Sequence, residues 1–365
     1  MKLFISLGII LCWISTNCIY SQTNLSEEYI KRGIEYCEQN MYQIGLYSLN
    51  AGLNSSEELS DSIKNIGEMY RQCAYILTND TSHISIELLE KLIPLMKHPC
   101  GINLVIGNKY LSDWYTNQQD YKKAYTYIKR TLEEIETLGE KKNIMYLACI
   151  AIAADLQDIL GNHDEAAKFY QYLYYNAKNI NTKLYINALG GLATYFYLYN
   201  IDYCKSLSYS KEQANATLEL YGKSSKEYIL ALQNVYDACL NIPTEHDLAI
   251  STAYEIYNLQ KESNINKEGY IAALENLITA YNINRSFSLA TPYVQELVAI
   301  TKGTSKWKEV ASTLSHLYFM YGNSNEAINL QRKIISLYKK EKKIECYQYI
   351  LSLIHISEPT RQEAI

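Results

Sequence analysis

The residues of this 365-residue chain that could do chemistry are few and scattered. Cys100 follows His98 and Pro99, and a thiol beside an imidazole is the pairing that generates a nucleophilic thiolate. A separation of two residues seldom lets the groups face one another, because nucleophile and base are usually brought together from distant sequence. The run His98-Pro99-Cys100-Gly101 reads more simply as a break between helices. Beyond residue 21 the cysteines stand at 37, 73, 100, 149, 204, 239 and 346, none within 26 residues of another, so there is no CxxC box. Small apolar side chains buried on helices account for them better than a disulfide framework. The chain has no GxxxxGK phosphate loop, no HExxH zinc helix, no GxSxG elbow and no GxGxxG turn after a strand. Gly190-Gly191 lies inside a helical pattern, where its expected role is close packing. No catalytic residue, metal or cofactor is expected. A net charge of -5 leaves no basic footprint for nucleic acid.

The composition favours long helices. Five Pro and 15 Gly are few for this length, while 48% hydrophobic and 20% charged residues are ordinary for a globular protein. The 36 Tyr are unusual. Each has an apolar body and a polar tip, which suits half-buried helix faces and binding grooves.

The two ends read differently from the middle. Lys2 and the apolar run from Leu3 to Ile14 have the layout of a secretory signal and are too short to span a bilayer. Cleavage is expected between Ser21 and Gln22, giving an exported and periplasmic protein. Lipid attachment at Cys18 is a weaker alternative, because the polar Asn17 beside it suits a lipobox poorly, and an uncleaved anchor is a third and weaker one. Residues Leu351 to Arg361 back-translate, in frame, into the adapter of a transposase-based sequencing library. Residues 351–365 are therefore expected to be an artefact, with the natural chain continuing past Ile350.

Between the ends the apolar spacing is helical throughout. After a start at Ser26-Glu27-Glu28, with acid in the first turn, Ile30, Ile34 and Cys37 share a stripe, and a second helix carries Gly45, Leu49 and Leu53. Helices are then expected over 59–77, 84–96, 103–117, 121–138, 143–160, 163–177, 184–199, 201–221, 225–240, 246–262, 267–282, 287–302, 306–321 and 325–340, with 344–350 opening a ninth pair. A small residue stands early in each second helix: Gly45, Ser85, Ala124, Ala166, Ser206, Ala249, Ala290 and Ala327. The steps between them are 40, 39, 42, 40, 43, 41 and 37 residues. A period near 40 carried by helix pairs marks a solenoid. A small side chain there lets two helices cross closely, since the side chains at the contact set the axial distance.

Leu111, Ser112, Tyr115 and Ala124 form one set of residues that recurs as Leu314, Ser315, Tyr318 and Ala327. Leu277, Tyr281 and Ala290 repeat it with Ile278 in the small place. Ala153, Ala154 and Ala166 repeat it with Gln157 in the aromatic place, and Leu192, Ala193, Phe196 and Ser206 with one residue inserted. These hairpins resemble tetratricopeptide repeats, in a version longer than the usual 34 residues. The resemblance implies an all-α fold, a right-handed α-solenoid of about eight antiparallel helix pairs. Residues 22–101 would be divergent repeats and 102–350 the clearer solenoid. It further implies a non-catalytic scaffold that holds a protein or peptide ligand in a concave groove lined by the first helices. By register the groove would present Lys109, Asp113, Asp155, Asp158, Tyr197, Glu275, Asn282, His316 and Phe319. That mixture of acids and aromatics suits a ligand with some positive charge and apolar side chains. The alternatives are the sensory or adaptor part of a longer protein, followed by a kinase, a DNA-binding output or a caspase-like peptidase, and a glycan-binding outer-membrane lipoprotein.

Overall fold

The computed structural model describes residues 25–96, 101–140, 143–263, 267–304, 306–320 and 323–340. The expected export signal, His98-Pro99-Cys100, Cys346, the expected opening of a ninth pair and the adapter-like tail lie outside the described residues. The chain divides into two compact units, residues 1–184 and 185–365. Among the described residues both units are helical, with no strand.

The first unit runs α1 (Leu25–Glu38), α2 (Tyr42–Leu53), α3 (Asp61–Leu77), α4 (Ile86–Leu92), α5 (Gly101–Asn117), α6 (Tyr121–Thr137), α7 (Ile144–Ile159) and α8 (His163–Ala177). Helix α9 (Thr182–Leu198) opens the second unit. There it is followed by α10 (Tyr203–Tyr221), α11 (Lys226–Leu240), α12 (His246–Ser263), α13 (Lys267–Ile283), α14 (Phe287–Thr301), α15 (Trp307–Met320) and α16 (Ser324–Lys340). Odd and even helices are the first and second members of antiparallel hairpins. Within each unit the second helix of one hairpin also packs on the first helix of the next. Helix α7 is apolar nearly all round: Tyr146, Leu147, Cys149, Ile150, Ala151, Ala153, Ala154, Leu156 and Gln157 are all buried. Helix α6 instead buries one stripe, Ala124, Ile128, Thr131, Leu132 and Ile135, at four- and three-residue steps.

One expected helix is different. In place of 84–96 the chain forms a 3-10 turn at Thr81–His83, the short α4, and a second 3-10 turn at Ile93–Leu95 containing Pro94. Proline supplies no amide hydrogen and ends the α-helical ladder there. Ser85 consequently does not mark a helix crossing. It is the N-cap of α4, and its hydroxyl accepts a hydrogen bond from the Leu88 amide at 3.2 Å.

The other small residues sit at closely packed crossings. Ala124, Ala166, Ser206, Ala249 and Ala290 are at most 2% exposed and Ala327 is 5% exposed. The serine of the Leu-Ser pair has a definite partner: Ser112 Oγ donates to the Ala124 carbonyl at 2.9 Å and Ser315 Oγ to the Ala327 carbonyl at 3.0 Å. In the α9–α10 hairpin the residue types are exchanged and the bond reverses, Ser206 Oγ donating to the Ala193 carbonyl at 2.9 Å. At these three crossings a hydroxyl on one helix is bonded to the backbone of the other. A buried hydroxyl left unpaired would be costly. Leu111, Ala154, Leu277 and Leu314 are buried around these crossings.

Five of the hairpin turns share one backbone solution. Five residues before the small residue of the second helix, Asn40, Gln119, Gly161, Ile201 and Arg285 all have φ between 55° and 82°. The next amide closes the turn onto a carbonyl at the end of the first helix. Asp120 N donates to Tyr115 O at 3.0 Å, Asn162 N to Gln157 O at 2.9 Å and Ser286 N to Tyr281 O at 2.8 Å. This is the left-handed cap that lets a helix end while satisfying its last carbonyls. Glycine adopts it freely and asparagine tolerates it, whereas a β-branched side chain is strained there. Ile201 is 64% exposed, so its side chain has little burial to offset the strain. Replacing Ile201 by Asn is expected to raise stability by about 1 kcal/mol. An unchanged or lower denaturation midpoint would contradict this turn geometry.

Candidate groove site

The first helices of the second unit are tied to one another by polar side chains. Asn241, just past α11, donates to Tyr197 Oη of α9 at 3.4 Å. Asn276 of α13 donates to Gln233 Oε1 of α11 at 2.8 Å, and Gln233 Nε2 donates to Asp237 Oδ1 at 2.9 Å. Burial pushes the Asp237 carboxyl above its ordinary value. Tyr236 adds a bond from its hydroxyl to the Asn276 carbonyl at 2.8 Å. At the next step Lys306, immediately before α15, pairs with Glu275 of α13 at 2.5 Å.

Beyond that ion pair α13, α14 and α15 enclose a cleft of about 380 Å³. Its floor is Ile278, Val294, Leu297 and Val310. Its walls are Glu275, Thr279, Asn282, Lys306, Glu309 and Thr313. The Asn282 Oδ1 atom is withdrawn from water and receives no hydrogen bond. A buried acceptor without a donor costs about 1–3 kcal/mol, and rotation of the Asn282 amide would let a donor reach it.

Of the residues expected in a groove, the structure brings Glu275 and Asn282 together in this cleft. Tyr197 lies on the polar ladder and stacks edge-on against Tyr203. His316 is exposed and Phe319 half-buried on α15. In the first unit the expected residues are occupied locally. Lys109 and Asp113 pair with each other along α5 at 2.6 Å. Asp155 accepts from the Tyr170 hydroxyl of its own hairpin at 2.7 Å, and Asp158 meets His163 across the α7–α8 turn at 2.7 Å.

The tyrosines form carboxylate-braced joints that sequence reading missed. In three successive hairpins a tyrosine early in the first helix donates its hydroxyl to a glutamate well inside the second: Tyr185 to Glu212, Tyr228 to Glu255 and Tyr270 to Glu296. The separations of 27, 27 and 26 residues are the signal that could have found them. In the first unit Glu90 of α4 accepts from both Tyr115 at 2.5 Å and Tyr127 at 3.1 Å. Burial, then the Glu90 charge, pushes the Tyr127 phenol up to about 12. Tyr281 and Tyr318, the matching aromatic residues of other repeats, are half-buried. Tyr281 stacks on Tyr293, and Tyr318 accepts from Gln295 Nε2 at 2.8 Å.

Ser82 Oγ and the Asp80 carboxylate both approach His83 Nδ1, at 3.0 and 2.9 Å, so they compete for one ring nitrogen and form no relay. Burial raises the Cys37, Cys149 and Cys239 thiols to about 11, well away from the thiolate form. Among the described residues no group of three or more His, Cys, Asp and Glu could hold a metal ion. Among them, too, no helix is long and apolar enough to cross a membrane.

No protein-family model matches the chain, and no curated protein matches it in sequence. Solved structures do match its fold. The C-terminal part of a TPR repeat-containing protein from Cytophaga hutchinsonii aligns with a TM-score of 0.52 at 15% identity, covering 78% of this chain and 99% of that one. The apo form of RapI aligns at 0.51 and 8% identity, covering 93% and 99%. A signal-transduction ATPase with numerous domains from Pyrococcus horikoshii, which has a tetratricopeptide repeat sensor, aligns at 0.51 and 13% identity over 93% of this chain and 50% of that one. With its paired helices, its period near 40 and its small-residue crossings, this chain has the all-α solenoid fold of the tetratricopeptide-repeat proteins.

Proposed function

We propose that the chain is a non-catalytic scaffold that binds a protein or peptide on the face made by its first helices, and that it acts outside the cytoplasm after losing residues 1–21. The observation that carries the binding reading is the α13–α15 cleft. It combines an apolar floor, polar walls and an unsatisfied acceptor, the mixture by which a pocket fixes a ligand and pays for its desolvation. The flanking ladder of Asn241, Gln233 and Asn276 offers further polar groups to an extended backbone.

Selection of random 12-residue peptides on the intact protein tests this. Binders are expected, and Thr313→Trp, which fills the cleft from an exposed wall position, should weaken them at least tenfold, about 1.4 kcal/mol. Failure to select any peptide, or binding untouched by Thr313→Trp, would count against the groove. Export is checked by N-terminal sequencing of the secreted chain, expected to start at Gln22; a retained Met1 would contradict it.

A second reading is favoured by the Pyrococcus comparison, in which the aligned protein is about twice as long as the matched part and carries its repeats as a sensor. On that reading the present chain is the sensory part of a longer polypeptide. The same reading frame assembled from adapter-trimmed reads decides it: a further domain after Ile350 supports the sensor, and a prompt stop contradicts it.

A further inference from the structure

We propose that the α13–α15 cleft accepts a basic side chain, the guanidinium of arginine or the ammonium of lysine, from the polypeptide it binds. The proposal rests on the peptide-binding reading above and adds the chemistry of the ligand. Three charged residues line the cleft: Glu275, Glu309 and Lys306. Glu275 and Lys306 neutralise each other at 2.5 Å. Glu309, in the first turn of α15, is exposed and has no ion-pair partner among the described residues. The lining thus keeps one unmatched negative charge.

Asn282 supplies a second and independent reason. Its Oδ1 is buried at the cleft wall with no donor, and rotation about its terminal bond is soft enough to turn it toward a ligand. Ammonium and guanidinium groups are donors only, so they satisfy a carboxylate and an amide oxygen at once. Their aliphatic stems suit the floor of Ile278, Val294, Leu297 and Val310, since lysine and arginine lay apolar stems on apolar surface while keeping the charged head among polar groups. The competing classes fit worse. An acidic side chain would face Glu309 and would have to displace Glu275 from Lys306. A neutral apolar side chain would cover the floor and leave Asn282 Oδ1 without a donor.

The test uses the intact protein and a displayed library of random 12-residue peptides. Lysine and arginine should be enriched at one position among the binders. In a selected arginine peptide, citrulline at that position, which keeps the shape and removes the charge, should weaken binding at least tenfold. Glu309→Gln should abolish the enrichment, and Glu309→Lys should turn the preference toward Asp and Glu. Asn282→Leu should weaken the arginine peptide and leave its norleucine counterpart unaffected, with circular dichroism confirming that each variant is folded. Binders without basic enrichment, or binding indifferent to citrulline on the wild-type protein, would overturn the basic pocket while the peptide-binding reading stands. No binders at all would overturn both.

Discussion

A leucine at Ala124 is expected to lower the stability of the protein by about 1–3 kcal/mol, the range for forcing extra methylenes into a packed interior. Ala124 is fully buried, and its carbonyl accepts the Ser112 hydroxyl from the facing helix. A larger side chain must push α5 and α6 apart at the point where that bond holds them. The control is Lys122→Leu, two residues away on the exposed side of the same helix. Surface changes of this kind stay within about 0.5 kcal/mol. Denaturant melts of both variants check the difference. Equal midpoints would mean that Ala124 is not at a crossing.

Gly52→Ala is expected to be comparably damaging, by about 1–3 kcal/mol, although alanine is intrinsically the better helix former. A Cβ built on Gly52 would lie 2.6 Å from the Ser26 carbonyl oxygen and 2.7 Å from Ile30 Cγ1. The carbonyl belongs to the backbone of α1 and cannot rotate away, so the two helices must separate. Gly190 provides the contrast. Its added Cβ would come within 2.5 Å of Gln213 Nε2, the far end of a flexible side chain that can shift while its Oε1 keeps the bond from Asn234 Nδ2. Gly190→Ala should therefore be neutral or stabilising by up to about 1 kcal/mol, through the lower entropy of the unfolded chain. If the two substitutions shift the midpoint alike, close helix approach at Gly52 is not the constraint proposed.

The helices were legible because their apolar stripes repeat over many turns, and the crossings because only small residues recur at a step near 40. Gly45 shows how strict that selection is: an added Cβ would stand 2.5 Å from Cys37 Sγ and 3.0 Å from the Gly33 carbonyl oxygen. Ser85 misled because serine is small and is also a good cap. Its spacing was right, but Pro94 shortens the helix that follows. The turns were only half visible. Gly161 announces a left-handed residue, whereas Ile201 adopts the same conformation against its own preference because two helices on either side impose it. The tyrosine–glutamate braces escaped because either residue alone is ordinary on a half-exposed helix, and only the recurring separation of 26 or 27 residues gives them away.

At the candidate site, register alone reached Glu275 and Asn282, which lie on a first helix facing the next one. It could not reach Glu309 or Thr313, whose importance comes from the way α15 closes over α14. Nor could it foresee that Asp155 and Asp158 are engaged by Tyr170 and His163 of their own hairpin. Those pairings depend on side-chain direction across a turn, which periodicity does not encode.

Hydrogen exchange on the intact protein, with and without a saturating display-selected peptide, tests the binding face most directly. Ligand that binds the folded state suppresses the local openings through which helix amides exchange. Slower exchange is expected in α13 and α15 around Thr279, Asn282, Glu309 and Thr313, with α5 to α8 unchanged. Protection confined to α10 and α12, or none anywhere at saturation, would contradict the groove.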